Sequence, residues 1–136
     1  MENTKNFLEN PLEVVRENFK KWNDALQTKD AKKVAELYSA DNTFLPTMSG
    51  EFKSGEKEAE GYFEHFLLKN PIGRIVEEKV QPTGDNSYLH SGLYNFEVDK
   101  QGGKREIVQG RFTYLWQKDK DGNWKIHHHH SSVKPA

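Results

Sequence analysis

Four consecutive histidines, His127 to His130, stand near the C-terminal end of a 136-residue chain, within the stretch "WKIHHHHSS". Imidazole titrates closest to neutral pH of the ordinary side chains, so such a run suggests proton transfer, metal ligation or a histidine-rich interface. Neighbouring side chains on a strand point to opposite faces. Trp124, Ile126, His128 and His130 then share one face, and Lys125, His127 and His129 the other. An added purification tag is the wrong form, because the four histidines are followed by Ser-Ser-Val-Lys-Pro-Ala. Metal ligation is weakly supported. Only His128 and His130 converge locally, about 7 Å apart at the backbone, and a third ligand would have to come from His90, His65 or a carboxylate. No His-Glu-x-x-His set exists, and no metal or cofactor is expected. Histidines with satisfied nitrogens, in a core or an interface, are the commonest form of such a pattern.

Arg111 is the arginine in the middle of a strand, flanked on its own face by Gln109 and Thr113. A buried guanidinium needs an acidic partner, from the protein or from a ligand. Arg111 either pairs with a protein carboxylate or faces solvent. Otherwise it meets a small carboxylate- or phosphate-bearing molecule together with His128 or His130, near Tyr38, Tyr94 or Tyr62.

The elements that must position these groups are legible from periodicity. Asn10-Pro11 starts a helix whose Leu12, Val15, Phe19, Trp22 and Leu26 recur at steps of three and four. A shorter helix is expected over 29–38, capped by Asp30. A short strand near 42–45 precedes turns, and a third helix over 56–71 ends at Asn70-Pro71. Gly61 inside it suggests a close packing neighbour. Strands follow over 73–82, 87–98, 105–117 and 124–130, the last three joined by a Gly-Gly and an Asp-Gly turn into a meander.

Apolar residues make up 34 % of the chain and aromatic ones 12 %, with a mean hydropathy of -0.96. One domain over 1–136 is expected, with 1–9 disordered. Twenty basic residues against 21 acidic ones, with no basic block, argue against nucleic acid and anionic membranes as partners. The absence of cysteine excludes thiolate chemistry and disulfides. No apolar run approaches the roughly 20 residues that cross a bilayer, and a cytoplasmic protein is the expectation.

The stretches "WNDALQTKDAKKVAELYSADNTFLPTMSG" (22–50), "GYFEHFLLKNPIG" (61–73) and "GRFTYLWQKDKDGNWKIHHHHSS" (110–132) resemble the association domain of calcium/calmodulin-dependent protein kinase II and its free-standing bacterial relatives. That group lies within the SnoaL-like and ketosteroid-isomerase-like superfamily, and the resemblance runs from Pro11 to Ser132. It implies an α+β roll of the cystatin-like kind, a cone-shaped, strongly curved antiparallel sheet wrapped around the N-terminal helix. It also implies a homo-oligomer, with a dimer ahead of a larger ring. Steroid isomerases of the superfamily carry an aspartate base near position 45, where this chain has Leu45, and Asp41 fits a cap or turn better. The kinase domains carry a second arginine where this chain has Tyr114.

The leading expectation is therefore a self-associating module with a conical pocket for a small anionic or polar ligand, without kinase activity. The pocket would be lined by Trp22, Tyr38, Phe63, Tyr94, Arg111, Thr113, His128 and His130. Tyr114, Trp116, His127 and His129 would form the outer, oligomer-facing side. The alternative is a SnoaL-like isomerase, cyclase or hydrolase with His128 or His130 as base and Arg111 as anion stabiliser.

Overall fold

The apolar stripe of the first helix finds its counterpart on a single sheet face. In a computed structural model that describes residues 7–136, α1 (Pro11–Gln27) buries Val14, Val15, Asn18, Phe19, Trp22, Ala25 and Leu26. Leu12, expected on that stripe, is exposed, and Asn10 makes no side-chain cap. The short α2 (Ala31–Ala35) is capped by Asp30, whose carboxylate accepts from the Lys32 N–H at 3.0 Å. The helix expected to reach residue 38 stops early, because the Leu37 carbonyl accepts from the Ile126 N–H at 2.7 Å. Tyr38 then opens β1 (Tyr38–Leu45). After the two-residue β2 (Lys53–Ser54) come α3 (Glu56–Phe66) and a 3₁₀ turn (Leu67–Lys69). Gly61 has nothing within 4 Å of where a Cβ would sit, so no close neighbour accounts for it.

Four long strands complete the chain: β3 (Ile72–Gly84), β4 (Ser87–Lys100), β5 (Lys104–Lys118) and β6 (Trp124–Val133). They form one six-stranded sheet in the order β2-β1-β6-β5-β4-β3. All pairings are antiparallel except β1 with β6, which run parallel. The expected cone-shaped, strongly curved antiparallel sheet is therefore not what forms. The α+β class stands, but the sheet is mixed and open, with β2 and β3 as separate edges. Hairpin turns announce only neighbours in sequence, and nothing in the residue alternation of β1 indicates that it runs alongside the last strand.

The 1–9 segment expected to be disordered lies in part outside the described residues. Within them, Phe7 is buried and stacks on Tyr88 with ring centroids 4.8 Å apart. The core is largely aromatic. Trp22 is its hub, within 6.3 Å, centroid to centroid, of Phe19, Phe63, Phe96, Tyr114 and His129. These rings supply the bulk that a chain poor in aliphatics lacks.

Two irregularities decide which side chains face inward. Trp116 pairs with Ile126 but Leu115 pairs with His128, so His127 is an extra residue, a β-bulge. Beyond it the parity of β6 reverses: Ile126, His129 and Ser131 are buried, while His128 is half-buried and His130 exposed. The parallel partner β1 carries a matching irregularity between Tyr38 and Thr43.

Candidate functional site

Beneath α1 and α3 a cavity of about 290 Å³ is walled mainly by Trp22, Phe44, Tyr62, Phe63, Phe66 and Phe96. Its polar lining comes from β6, β4 and the segment after β1: His129, Ser131, Tyr94 and Thr47. Lys69 and Glu106, both exposed, stand at its rim. Asn70 and Arg105 brace that rim, since Asp99 bonds both Arg105 (2.8 Å) and Asn70 (2.6 Å) and so ties the 3₁₀ turn to the β4–β5 hairpin.

His129 is 2 % exposed and held between rings: Tyr114 stacks on it at 4.1 Å and 21°, Phe44 at 5.0 Å and 12°. Its Nδ1 lies 2.8 Å from Tyr38 Oη and its Nε2 lies 3.3 Å from Tyr94 Oη. Trp22 Nε1, a donor only, gives its hydrogen to Tyr38 Oη at 3.2 Å. Tyr38 therefore spends its own hydrogen on His129 Nδ1, the acceptor that faces it among the described residues. We assign the tautomer accordingly: His129 carries its proton on Nε2 and donates it to Tyr94. Tyr94 in turn donates to Ser131 Oγ, which contacts Thr47 Oγ1. Burial, with a smaller contribution from His128 and His130 nearby, holds the His129 pKa well below the usual histidine value. Burial pushes the Tyr38 and Tyr94 phenols up. The whole chain of groups is neutral at physiological pH.

The Tyr94 ring reaches this position because its cross-strand partner is Gly110. A Cβ at Gly110 would stand 2.8 Å from Tyr94 Cε1.

The residues singled out in the sequence are distributed as follows. Trp22, Phe63 and Tyr94 line the cavity, and Tyr38 lies behind His129. Arg111, Thr113, His128 and His130 do not line it. They lie on the opposite sheet face, where Arg111 is exposed and donates to Ser132 Oγ at 3.3 Å, Thr113 pairs with His130, and His128 bonds Thr43 Oγ1 at 2.7 Å. The bulge at His127 is the cause for the histidines, because it inverts the alternation assumed for them. Conversely, Tyr114 and Trp116, expected on an outer interface, are 0 % and 1 % exposed inside the core, and His129 faces inward with them. Only His127 among those four keeps an outward character, with Nδ1 near Ser39 Oγ (3.1 Å) and Asp41 Oδ1 (3.5 Å). Both partners address one nitrogen, so this is not a nucleophilic triad. Buried His90 and half-buried Glu78, 2.9 Å apart, lie away from the cavity lining.

Sequence inspection missed Ser131 and Thr47 and placed His129 on the outer side instead of in the cavity wall. Ser131, an inward polar residue following the bulge, is the signal that could have exposed the change of face. Among the described residues, no cluster of three or more His, Asp or Glu side chains could hold a metal ion.

An α+β sheet protein with one aromatic cavity and a neutral imidazole in its wall is the class this architecture defines. The chain belongs to the calcium/calmodulin dependent protein kinase II association domain family, whose model matches residues 12–135. It is 41 % identical to a Xanthomonas campestris protein described as such a domain, with a TM-score of 0.86 over 90 % of this chain and 86 % of that one. An NTF2-like superfamily protein from Salmonella enterica shares the fold at 16 % identity and TM-score 0.75, over 91 % of each chain. A ketosteroid isomerase-like protein from Erwinia carotovora does so at 14 % and 0.74, over 93 % of this chain and 98 % of that one. No curated protein matches. Membership of an association-domain family brings a general tendency to self-associate.

The expected module with a conical, anion-binding pocket is overturned by the site itself. The sheet is open, no guanidinium is among the described residues that line the cavity, and a directed His–Tyr–Ser chain occupies its polar wall.

Proposed function

We propose that this chain is a small-molecule enzyme of the SnoaL-like kind, an isomerase, cyclase or hydrolase working on a largely apolar substrate. One observation carries the reading: a buried, neutral His129 linked through Tyr94 to Ser131 in the wall of an aromatic cavity. Preorganised donors of this type stabilise negative charge developing on a substrate oxygen, and they do so best where water is excluded. Glu106, the one carboxylate among the described lining residues, supplies a base at the rim. His129 acts through Tyr94, since both of its ring nitrogens are already engaged.

The test is proton exchange at carbon. Small cyclic ketones and esters incubated with the protein in deuterium oxide are followed by nuclear magnetic resonance. The native protein is expected to accelerate α-hydrogen exchange or hydrolysis of at least one probe, and Tyr94→Phe to lose most of that acceleration. No acceleration across the panel would sink the enzymatic reading.

For assembly we infer a dimer ahead of a larger ring. Support comes from the family and from the sheet face away from the cavity, where Leu89, Leu93 and Leu115 are partly exposed. Light scattering that returned the 15.8 kDa of one chain at all concentrations would exclude it.

A further inference from the structure

We infer that Thr47 is the hydrogen-bond donor that selects the ligand, and that the cavity takes an uncharged, mostly apolar molecule presenting a carbonyl oxygen to the Thr47 hydroxyl. The inference rests on the cavity being the working site, as proposed above, and it follows from counting hydrogens. Trp22 donates to Tyr38, Tyr38 to His129, and His129 to Tyr94. Tyr94 donates to Ser131, whose Oγ lies against Thr47 Oγ1. Ser131 Oγ takes the Tyr94 hydrogen, and since either hydroxyl can donate across the Ser131–Thr47 contact, that pair keeps one hydrogen unspent; we place it on Thr47, which is half-buried where Ser131 is buried. The Thr47 hydrogen then has no acceptor among the described residues. Thr47 is half-buried and lines the cavity, so a ligand there completes the series.

The direction of the series gives the ligand's chemistry. The wall offers a donor whose hydrogen is unspent, so it selects an acceptor. A carbonyl accepts without bringing a hydrogen that itself needs a partner, whereas an alcohol brings one. A carboxylate or phosphate at the same spot would lose its hydration with no cation beside it. Lys69, the cation in the lining, is exposed at the rim, and Arg111 lies on the other sheet face. The aromatic walls accommodate the remainder of the molecule, and a cavity of about 290 Å³ has room for a fused two-ring ketone.

The probes are 1-tetralone, its hydrocarbon analogue tetralin, and 1-naphthoate, with binding read by quenching of tryptophan fluorescence. The carbonyl stretch of bound tetralone is read by infrared difference spectroscopy. The native protein and Thr47→Ser should both shift that stretch to lower frequency and prefer tetralone to tetralin. Thr47→Val, similar in shape but without the hydroxyl, should lose the shift and weaken tetralone binding about tenfold while leaving tetralin binding unchanged. Unchanged tetralin binding also certifies that the variant is folded. If Thr47→Val keeps the shift and the preference, or if 1-naphthoate binds more tightly than tetralone, the inference is overturned while the cavity stands. If the native protein binds neither tetralone nor tetralin, the cavity reading falls and takes the inference with it.

Discussion

Tyr38 Oη stands 2.8 Å from His129 Nδ1 while accepting the Trp22 indole hydrogen, so one phenol satisfies two buried partners from two other elements. Replacing it by phenylalanine removes no volume from the core but orphans the Trp22 N–H and the His129 Nδ1 together. Leaving a buried polar group without a partner costs about 1–3 kcal/mol, and the two losses share one site. Tyr38→Phe should therefore lose roughly 2–4 kcal/mol in urea unfolding. It should also release the tautomer, visible as a change in the His129 nitrogen resonances. A stability within 0.5 kcal/mol of native, on the usual scale for neutral surface changes, would contradict this arrangement.

Gly110 gives a second handle on the same wall. Alanine there would place a Cβ 2.8 Å from Tyr94 Cε1, well inside contact distance. The ring must move, and with it the hydroxyl that links His129 to Ser131. Overpacking of this kind costs about 1–3 kcal/mol. Gly110→Ala should lower the unfolding midpoint and weaken ligand binding in the cavity as well. Reduced stability with unaltered binding would mean that Tyr94 is not held where the chain of donors requires it.

Arg111 and His130 test the correction to the sequence-based site. Both are exposed on the sheet face away from the cavity. Arg111→Ala and His130→Ala should leave cavity binding and any turnover within twofold of native. Each should change stability by no more than about 0.5 kcal/mol. A tenfold loss of binding in either variant would restore the anion-binding pocket that the structure argues against.

How much of this was legible beforehand follows from what each residue pattern encodes. The 3.6-residue stripe of Val15, Phe19, Trp22 and Leu26 specifies α1 and its buried side. Two glycine-containing turns specify the β4–β5–β6 meander. Asp30 announces its own cap. The parallel pairing of β1 with β6 is not legible, because it joins segments about 85 residues apart with no local signature. The site was lost by one residue. His127 bulges, and on a strand whose side chains alternate, that single insertion transfers the role expected of His128 and His130 to His129. Tyr114 and Trp116 were assigned outward because bulky aromatics suit an interface as well as a core. Their strand alternation was read correctly, but nothing in it says which face the helices cover.

The buried histidine also makes stability depend on pH, and the sign follows from linkage. Burial lowers the folded-state pKa of His129, and those of His90 and His128 in the same direction. In the unfolded chain these imidazoles titrate near about 6.5. Between the folded and unfolded values the unfolded state binds more protons, so stability is complete above pH 7 and is lost as pH falls below about 6.5. Each such group contributes a slope of about 1.4 kcal/mol per pH unit in that window. At His90 the Glu78 carboxylate opposes the effect, and His128 is only half-buried. Among the described residues His129 packs against Tyr38, Tyr94, Phe44, Tyr114 and Trp22, and its strand neighbours His128 and His130 lower its pKa further. Urea unfolding between pH 5.5 and 7.5 should show the native slope, and His129→Asn should flatten it by about one proton's worth. Equal slopes in the two proteins would mean that His129 can be protonated in place, and the neutral chain of donors would then be wrong.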